Sequence, residues 1–219
     1  MINVLINGAN GKMGRALAGL IGQSADMRVA ASREEGQAVE GDFDLVIDFS
    51  LPEGAAQAYE LAKKHKAAFL TGTTNLPQSF LDAITEEEDI PVFYSPNVSI
   101  GVFLFTRLAQ EADALFAGYG KAMHEAHHAQ KKDAPSGTAK SLAAALNFAP
   151  QDITYERIGA VPGTHSVTFT SPQNDEEIIL THKVLDRKML AASALRVAGW
   201  LVKQKGGFYN MADFVKSIV

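Results

Sequence analysis

Residues 121–139 read KAMHEAHHAQKKDAPSGTA and gather three of the six histidines of the chain within five positions. Two chemistries compete for this string. His124-Glu125-Ala126-His127-His128 satisfies the H-E-x-x-H spacing. On a helix that spacing would set His124 and His128 on one face to hold zinc, with Glu125 as general base. The segment instead alternates apolar and polar residues, and Pro135 stands close behind, which suits a strand. The other chemistry is recognition of a small anion. His127, His128, Lys131 and Lys132 concentrate positive potential, and Ser136-Gly137-Thr138 opens a helix whose first N–H groups favour carboxylates. Histidine and lysine at such a site are able to supply protons during a reduction. A solvated basic loop with Ser136 as helix cap would explain the serine but not the clustered histidines.

A second constellation lies at the N-terminus. Gly8-Ala9-Asn10-Gly11-Lys12-Met13-Gly14 follows an apolar run, Ile2 to Ile6, and opens a helix. Glycines at 8, 11 and 14 let backbone N–H groups approach a pyrophosphate, whose charge the helix start favours, and Gly14 lets helix and strand pack closely. A tight strand-to-helix turn could require the same glycines for structural reasons alone. Its position at the first turn of an alternating series favours a dinucleotide. The end of the second strand, Ser32-Arg33-Glu34-Glu35, offers a base for a 2′-phosphate and acids for a ribose 2′-hydroxyl. Arg33 comes first, so the expectation leans to NADPH, with NADH also usable. Gly72-Thr73-Thr74 and Ser95-Pro96-Asn97-Val98 follow later strands, where cofactors bind in such sheets.

The elements that must position these groups change character along the chain. Strands are expected at Ile2–Ile6, Arg28–Ala31, Phe43–Phe49, Ala67–Leu70 and Pro91–Tyr94. Helices are expected at Lys12–Gly22, Glu53–Lys64 and Pro77–Thr85. That alternation implies right-handed βαβ units and a parallel sheet. Beyond residue 98 come a long apolar helix, Ile100–Phe116, a strand, Lys121–Ala129, and a helix, Ser136–Leu146. A hairpin follows, Thr164–Ser171 with Glu176–Val184, turned at Pro172-Gln173-Asn174-Asp175. A final helix runs from about Arg187 to Lys205, ends at Gly206-Gly207, and is followed by a short C-terminal helix. The shift from parallel to antiparallel texture is the one sign of a domain boundary.

Composition excludes other classes. The chain has 219 residues, between one ordinary domain and two. Its 20 basic and 25 acidic residues give a net charge of −5, which argues against broad nucleic-acid or membrane-surface binding. Absence of cysteine removes disulfides, thiolate metal sites and cysteine nucleophiles. No apolar run nears the roughly 20 residues of a membrane span, and no basic, apolar leader opens the chain. A soluble cytoplasmic protein is the expectation.

With these residues in view, the sequence resembles the 4-hydroxy-tetrahydrodipicolinate (dihydrodipicolinate) reductase family. The likeness spans nearly the whole chain. It rests on Gly8 to Gly14, Asp48-Phe49-Ser50, Gly72-Thr73-Thr74, Ser95-Pro96-Asn97 and above all EAHHAQKKDAPSGTA from Glu125 to Ala139. Pro162-Gly163-Thr164-His165, His182 with Asp186-Arg187, and Gly207 to Met211 add to it. The resemblance implies NAD(P)H-dependent reduction of a cyclic dicarboxylate in lysine and diaminopimelate biosynthesis. It implies His127 as catalytic acid/base and Lys131 as proton donor, with His128, Gly137 and Thr138 holding substrate carboxylates and no metal. Gly8, Ala9, Asn10, Gly11, Lys12, Met13, Gly72, Thr73, Thr74, Ser95, Pro96, Asn97 and Val98 would line the cofactor site. A Rossmann-type domain, 1–98 plus 188–219, would carry an inserted α+β domain, 99–187. The insert, with an open and mostly antiparallel sheet, would bind substrate and build a homotetramer. Three features depart from the family pattern: Asn75 stands for a common glycine, Thr164 for a common glutamate, and the stretch from Ser32 to Asp44 is short. A non-catalytic dinucleotide sensor would keep the glycine turn but have no use for His127 or Lys131. Another Rossmann reductase of amino-acid biosynthesis is the nearest rival among enzymes.

Overall fold

The computed structural model describes residues 1–34, 37, 39–186 and 188–218. Glu35 and the expected start of the last helix at Arg187 lie outside them. In chain order the elements are β1 (Ile2–Asn7), α1 (Lys12–Ile21), β2 (Met27–Arg33), β3 (Leu45–Asp48), α2 (Pro52–His65), β4 (Ala68–Thr71), α3 (Gln78–Thr85) and β5 (Pro91–Tyr94). Next come α4 (Ile100–Leu115), β6 (Gly120–His127), α5 (Gly137–Ala145), a single 3-10 turn (Pro150–Asp152), β7 (Thr154–Arg157), β8 (Gly163–Thr170) and β9 (Glu177–Val184). The chain ends with α6 (Lys188–Leu201), β10 (Gly207–Tyr209) and α7 (Met211–Lys216). It divides into two compact units, Met1–Val98 with Lys188–Val219, and Ser99–Arg187.

The first unit is built on a six-stranded sheet in the order β10-β5-β4-β3-β1-β2, with every pairing parallel. β3 and β4 are buried at every position, as strands covered on both faces must be, and read as apolar runs that end in Asp48 and Thr71. Leu5, Val46, Phe69 and Val92 from the sheet pack with Ala58, Tyr59 and Ala62 of α2 and Ile84 of α3. Each fully buried Leu or Phe contributes about 1.5–3 kcal/mol to this core. The chain steps from β1 outward to β2, then back across to β3. The carboxyl ends of β1 and β3 therefore flank the topological switch point, where ligands of open α/β sheets bind.

The second unit has a four-stranded sheet in the order β7-β6-β8-β9, antiparallel except for β6 with β7. Alternation along β8 buries Gly163, His165, Val167 and Phe169 and turns Thr164, Ser166, Thr168 and Thr170 outward. Phe105, Ala109 and Ala112 of α4 and Leu142 and Ala143 of α5 cover the inner face over Met123, Val167 and Phe169. The inner face grades from these apolar residues to a titratable end, where Glu125 pairs in register with His165, and His165 with His182.

Two strands had no expectation in the sequence. β7 carries exposed residues at three of its four positions, so it shows no apolar alternation. β10 is three residues long and begins in a glycine pair, yet it pairs with β5. The last helix stops at Leu201, four residues short of the expected Lys205. The strand expected to reach Ala129 ends at His127. Asn75, at the place of a family glycine, sits at φ +59°. Asparagine is the non-glycine residue best suited to that left-handed conformation.

Candidate functional site

The glycine turn sits at the carboxyl end of β1. Register sets Arg33, Asn7, Asp48, Thr71 and Tyr94 side by side across the carboxyl ends of β2, β1, β3, β4 and β5. The expected cofactor segments begin one residue beyond this row, at Gly8, Gly72 and Ser95. Gly8 has φ +78°, and a Cβ there would lie 2.6 Å from the Phe49 carbonyl oxygen. A Cβ on Gly14 would lie 2.3 Å from the Gly8 carbonyl oxygen. The turn therefore needs glycine at both positions. Gly11 precedes α1 with no side-chain cap, and the first turn of α1 carries no acidic residue. Such a helix start is open to a phosphate.

A carboxylate stands beneath these loops. Asp48 is fully buried and accepts from Asn7 Nδ2 at 2.6 Å, Ser50 Oγ at 2.5 Å, Thr71 Oγ1 at 2.7 Å and Thr73 Oγ1 at 2.7 Å. The Thr73 hydroxyl also accepts from the Ser50 N–H at 3.0 Å, which joins the loop after β4 to the loop after β3. Ser95 Oγ donates to the Asn97 carbonyl at 2.7 Å and closes the turn at Pro96 that leads to Val98. Both charges stand at the carboxyl end of β2. Arg33 is 5% exposed and donates to Gln57; its Nε and Nη1 have no partner among the described residues. Glu34 Oε1 accepts from the Asn10 N–H at 2.7 Å. Gly8, Ala9, Asn10, Gly11, Lys12, Met13, Arg33, Gly72, Thr73, Thr74, Ser95, Pro96, Asn97 and Val98 all belong to the first unit. These segments fit a dinucleotide: Gly8 and Gly14 stand where no Cβ has room, and the start of α1 is uncapped.

The basic string lies in the second unit. His124 and His128 are not neighbours on a helix. β6 extends through His124 to His127, so these three steps alone span about 10 Å and His128 lies beyond them. No single ion reaches both, and the protease geometry is excluded. Strand alternation buries Glu125 and His127 on the inner face. Glu125 is 0% exposed, and its Oε1 accepts from the Ser136 N–H at 3.0 Å and Arg157 Nη2 at 2.8 Å. Its Oε2 lies 3.3 Å from His127 Nδ1 and 3.7 Å from His165 Nε2. Ser136 Oγ is 3.3 Å from His165 Nε2 and caps α5 by accepting from the Ala139 N–H. Gly137 begins α5 in the open, where a Cβ would meet nothing within 4 Å. Thr138 follows it, half-buried.

Electrostatics follow from this packing. Burial lowers the His127 pKa; Glu125 opposes the shift, and Lys131, Arg157 and His128 add to it. Burial, with His127 beside it, takes His165 down to about 4. Burial alone would raise Glu125, but its bonds from Ser136 and Arg157 hold the carboxyl below its usual range. Lys131 Nζ donates to both Asp133 oxygens, at 2.8 and 2.9 Å, on the exposed side of the loop. His128 Nδ1 is 3.2 Å from Gln130 Oε1. Glu125, His127 and His165 present ligand atoms within 4.8 Å of one another. Arg157 already compensates the single carboxylate, so a divalent cation there would face uncompensated charge. The trio is better suited to protons than to a metal.

In the sequence Glu125 had a role only as general base of the zinc reading, and nothing pointed to Arg157. The period-two spacing of Met123, Glu125 and His127 could have placed Glu125 beside His127. Nothing in the Thr154–Arg157 segment could have marked Arg157, because its neighbours are set by register alone.

Residues 2–98 match the family profile described as dihydrodipicolinate reductase, N-terminus, and residues 101–215 match dihydrodipicolinate reductase, C-terminus. A 4-hydroxy-tetrahydrodipicolinate reductase of Rickettsia bellii is 33% identical, over 100% of this chain and 96% of that protein. One of Xanthomonas euvesicatoria is 34% identical, over 98% of each. The solved dipicolinate-bound dihydrodipicolinate reductase of Paenisporosarcina sp. TG-14 shares the fold, with a TM-score of 0.79 at 18% identity, over 98% of this chain and 99% of that one. Two profiles in series, full-length relatives and the shared fold agree: the chain belongs to the dihydrodipicolinate reductase family.

Proposed function

We propose that this protein reduces 4-hydroxy-tetrahydrodipicolinate to tetrahydrodipicolinate at the expense of NADPH or NADH, in lysine and diaminopimelate biosynthesis. The observation that carries the reading is the pairing of a glycine-turn sheet in one unit with a buried Glu–His cluster beside Lys131 in the other. A dinucleotide sensor has no use for the second feature. The first unit binds the nicotinamide cofactor, which supplies a hydride when bound. Gly8 to Met13 hold its pyrophosphate, and the loops at Gly72 to Thr74 and Ser95 to Val98 complete the site. Arg33 takes a 2′-phosphate by turning its buried guanidinium away from Gln57, and Glu34 accepts from a ribose hydroxyl. Their adjacency supports use of both cofactors, with a lean to NADPH.

The second unit binds the dicarboxylate. His128, Lys131 and the start of α5 at Gly137 and Thr138 neutralise and orient its carboxylates. Loss of water from the 4-hydroxy compound, by cleavage of its C4–O bond, gives the conjugated imine; hydride addition at C4 then leaves an enamine-like anion, to which Lys131 gives a proton while His127 acts as acid/base. In the protein without substrate, Lys131 is held by Asp133 and the His127 pKa is depressed. A bound dianion competes for Lys131 and raises the proton affinity of His127. Assembly is a homotetramer through the outer face of the second sheet, where Ser166, Thr168, Ile179 and Thr181 stand outward. The setting is cytoplasmic; no helix among the described residues is long and apolar enough to cross a membrane.

The test is cofactor oxidation by the purified protein, with substrate made fresh by the preceding aldol condensation and with NADPH and NADH compared. Substrate-dependent oxidation of either cofactor is expected. Cofactor binding without any turnover would favour the sensor.

A further inference from the structure

We infer that Glu125 is the positioning residue of the site: one buried carboxylate fixes the proton on Nδ1 of His127 and pins the start of α5. The inference rests on the reading of His127 as the acid/base. Glu125 Oε2 and His127 Nδ1 are both buried, and neither has a hydrogen-bond partner among the described residues. They face each other at 3.3 Å, out of line for an ideal bond. Each is the nearest group able to satisfy the other, which a small ring rotation achieves. A carboxylate is acceptor-only, so His127 must present Nδ1–H to it. The proton-exchanging nitrogen is then Nε2, the atom on the side of Gly163, where an added Cβ would stand 3.1 Å away.

The neighbours leave Glu125 this role and no other. From β7, Arg157 occupies Oε1, and from the α5 start the Ser136 N–H does the same. From β8, His165 has Ser136 Oγ at 3.3 Å as its nearer partner, against 3.7 Å to Oε2. From β9, His182 stacks on His165 and not on Glu125. Lys131, with Asp133, acts on His127 from the loop. Glu125 is thus the negative charge that supports protonation of His127 against burial and the charges of Lys131 and Arg157. It also ties the carboxylate-binding helix start to the proton site, so the two are set by one group.

Glu125→Gln keeps the shape and inverts the logic: its amide can donate to Nδ1 and so favours the proton on Nε2. The expected result is a fall in kcat of about 10²-fold or more. The limb of the kcat pH profile that His127→Gln abolishes should move to lower pH, and the KM for cofactor should stay unchanged. Glu125→Asp, which keeps the charge, should return the limb toward the parent position. A second measurement uses the unaltered protein: long-range proton–nitrogen correlation spectra, with His127 assigned by its absence in His127→Gln. Protonated Nδ1 is expected. Protonated Nε2, or an unmoved pH limb in Glu125→Gln, would overturn the inference. Undiminished turnover in His127→Gln would instead overturn the reading on which it rests.

Discussion

At the residue scale the site is a problem of where protons rest. Lys131 is salt-bridged to Asp133 at 2.8 Å. Lys131→Ala should lower kcat by about 10²–10⁴-fold at saturating substrate. Steady-state rates that match the parent protein would remove Lys131 from the mechanism. His165 makes a different prediction. Its folded-state pKa, about 4, lies below the ordinary value of 6.5, so the folded protein binds fewer protons than the unfolded chain between those limits. Its contribution to stability is complete above pH 6.5 and is lost as pH falls toward 4, at up to about 1.4 kcal/mol per pH unit. Urea midpoints across that window should fall less steeply for His165→Gln than for the parent; equal slopes would contradict the assignment. The histidine string was legible in the sequence because residue type and spacing are local. The role of Glu125 was not, since its partners Arg157 and His165 arrive from β7 and β8, 32 and 40 positions away.

At the element scale, β1 and α1 show how little side-chain chemistry a phosphate site needs. The turn is set by backbone room, and that requirement is visible in sequence as glycine. Gly14→Ala would drive a Cβ to 2.3 Å from the Gly8 carbonyl oxygen and distort the cradle. The KM for cofactor should rise by tenfold or more, equivalent to about 1.4 kcal/mol. Gly19→Ala on the same helix meets nothing within 4 Å and should raise stability by about 0.5–1 kcal/mol without changing that KM. Equal effects from the two substitutions, read by calorimetry and cofactor titration, would deny that Gly14 serves the turn. The long strands and helices were legible through their hydrophobic period. β7 and β10 were not, because one is mostly exposed and the other only three residues long; pairing with β6 and β5 creates them.

At the scale of the whole molecule, the −5 charge conceals the local basic string His127, His128, Lys131 and Lys132, and the 219 residues resolve into two compact units. The second unit covers one face of its sheet with α4 and α5. Its other face presents threonines, serine and Ile179, 57% exposed. Ile179→Lys would set a charge at the centre of the proposed tetramer contact. Sedimentation equilibrium should give a tetramer for the parent and a smaller species for the variant; a monomeric parent would contradict the assembly. Direct hydride transfer to a cyclic dicarboxylate is measurable with a cofactor deuterated on the transferring face of the nicotinamide, with the fresh aldol product as substrate. One deuterium at C4 of the product ring is expected for each cofactor oxidised. Cofactor oxidation that leaves no deuterium in the ring, or no oxidation with either NADPH or NADH, would contradict it.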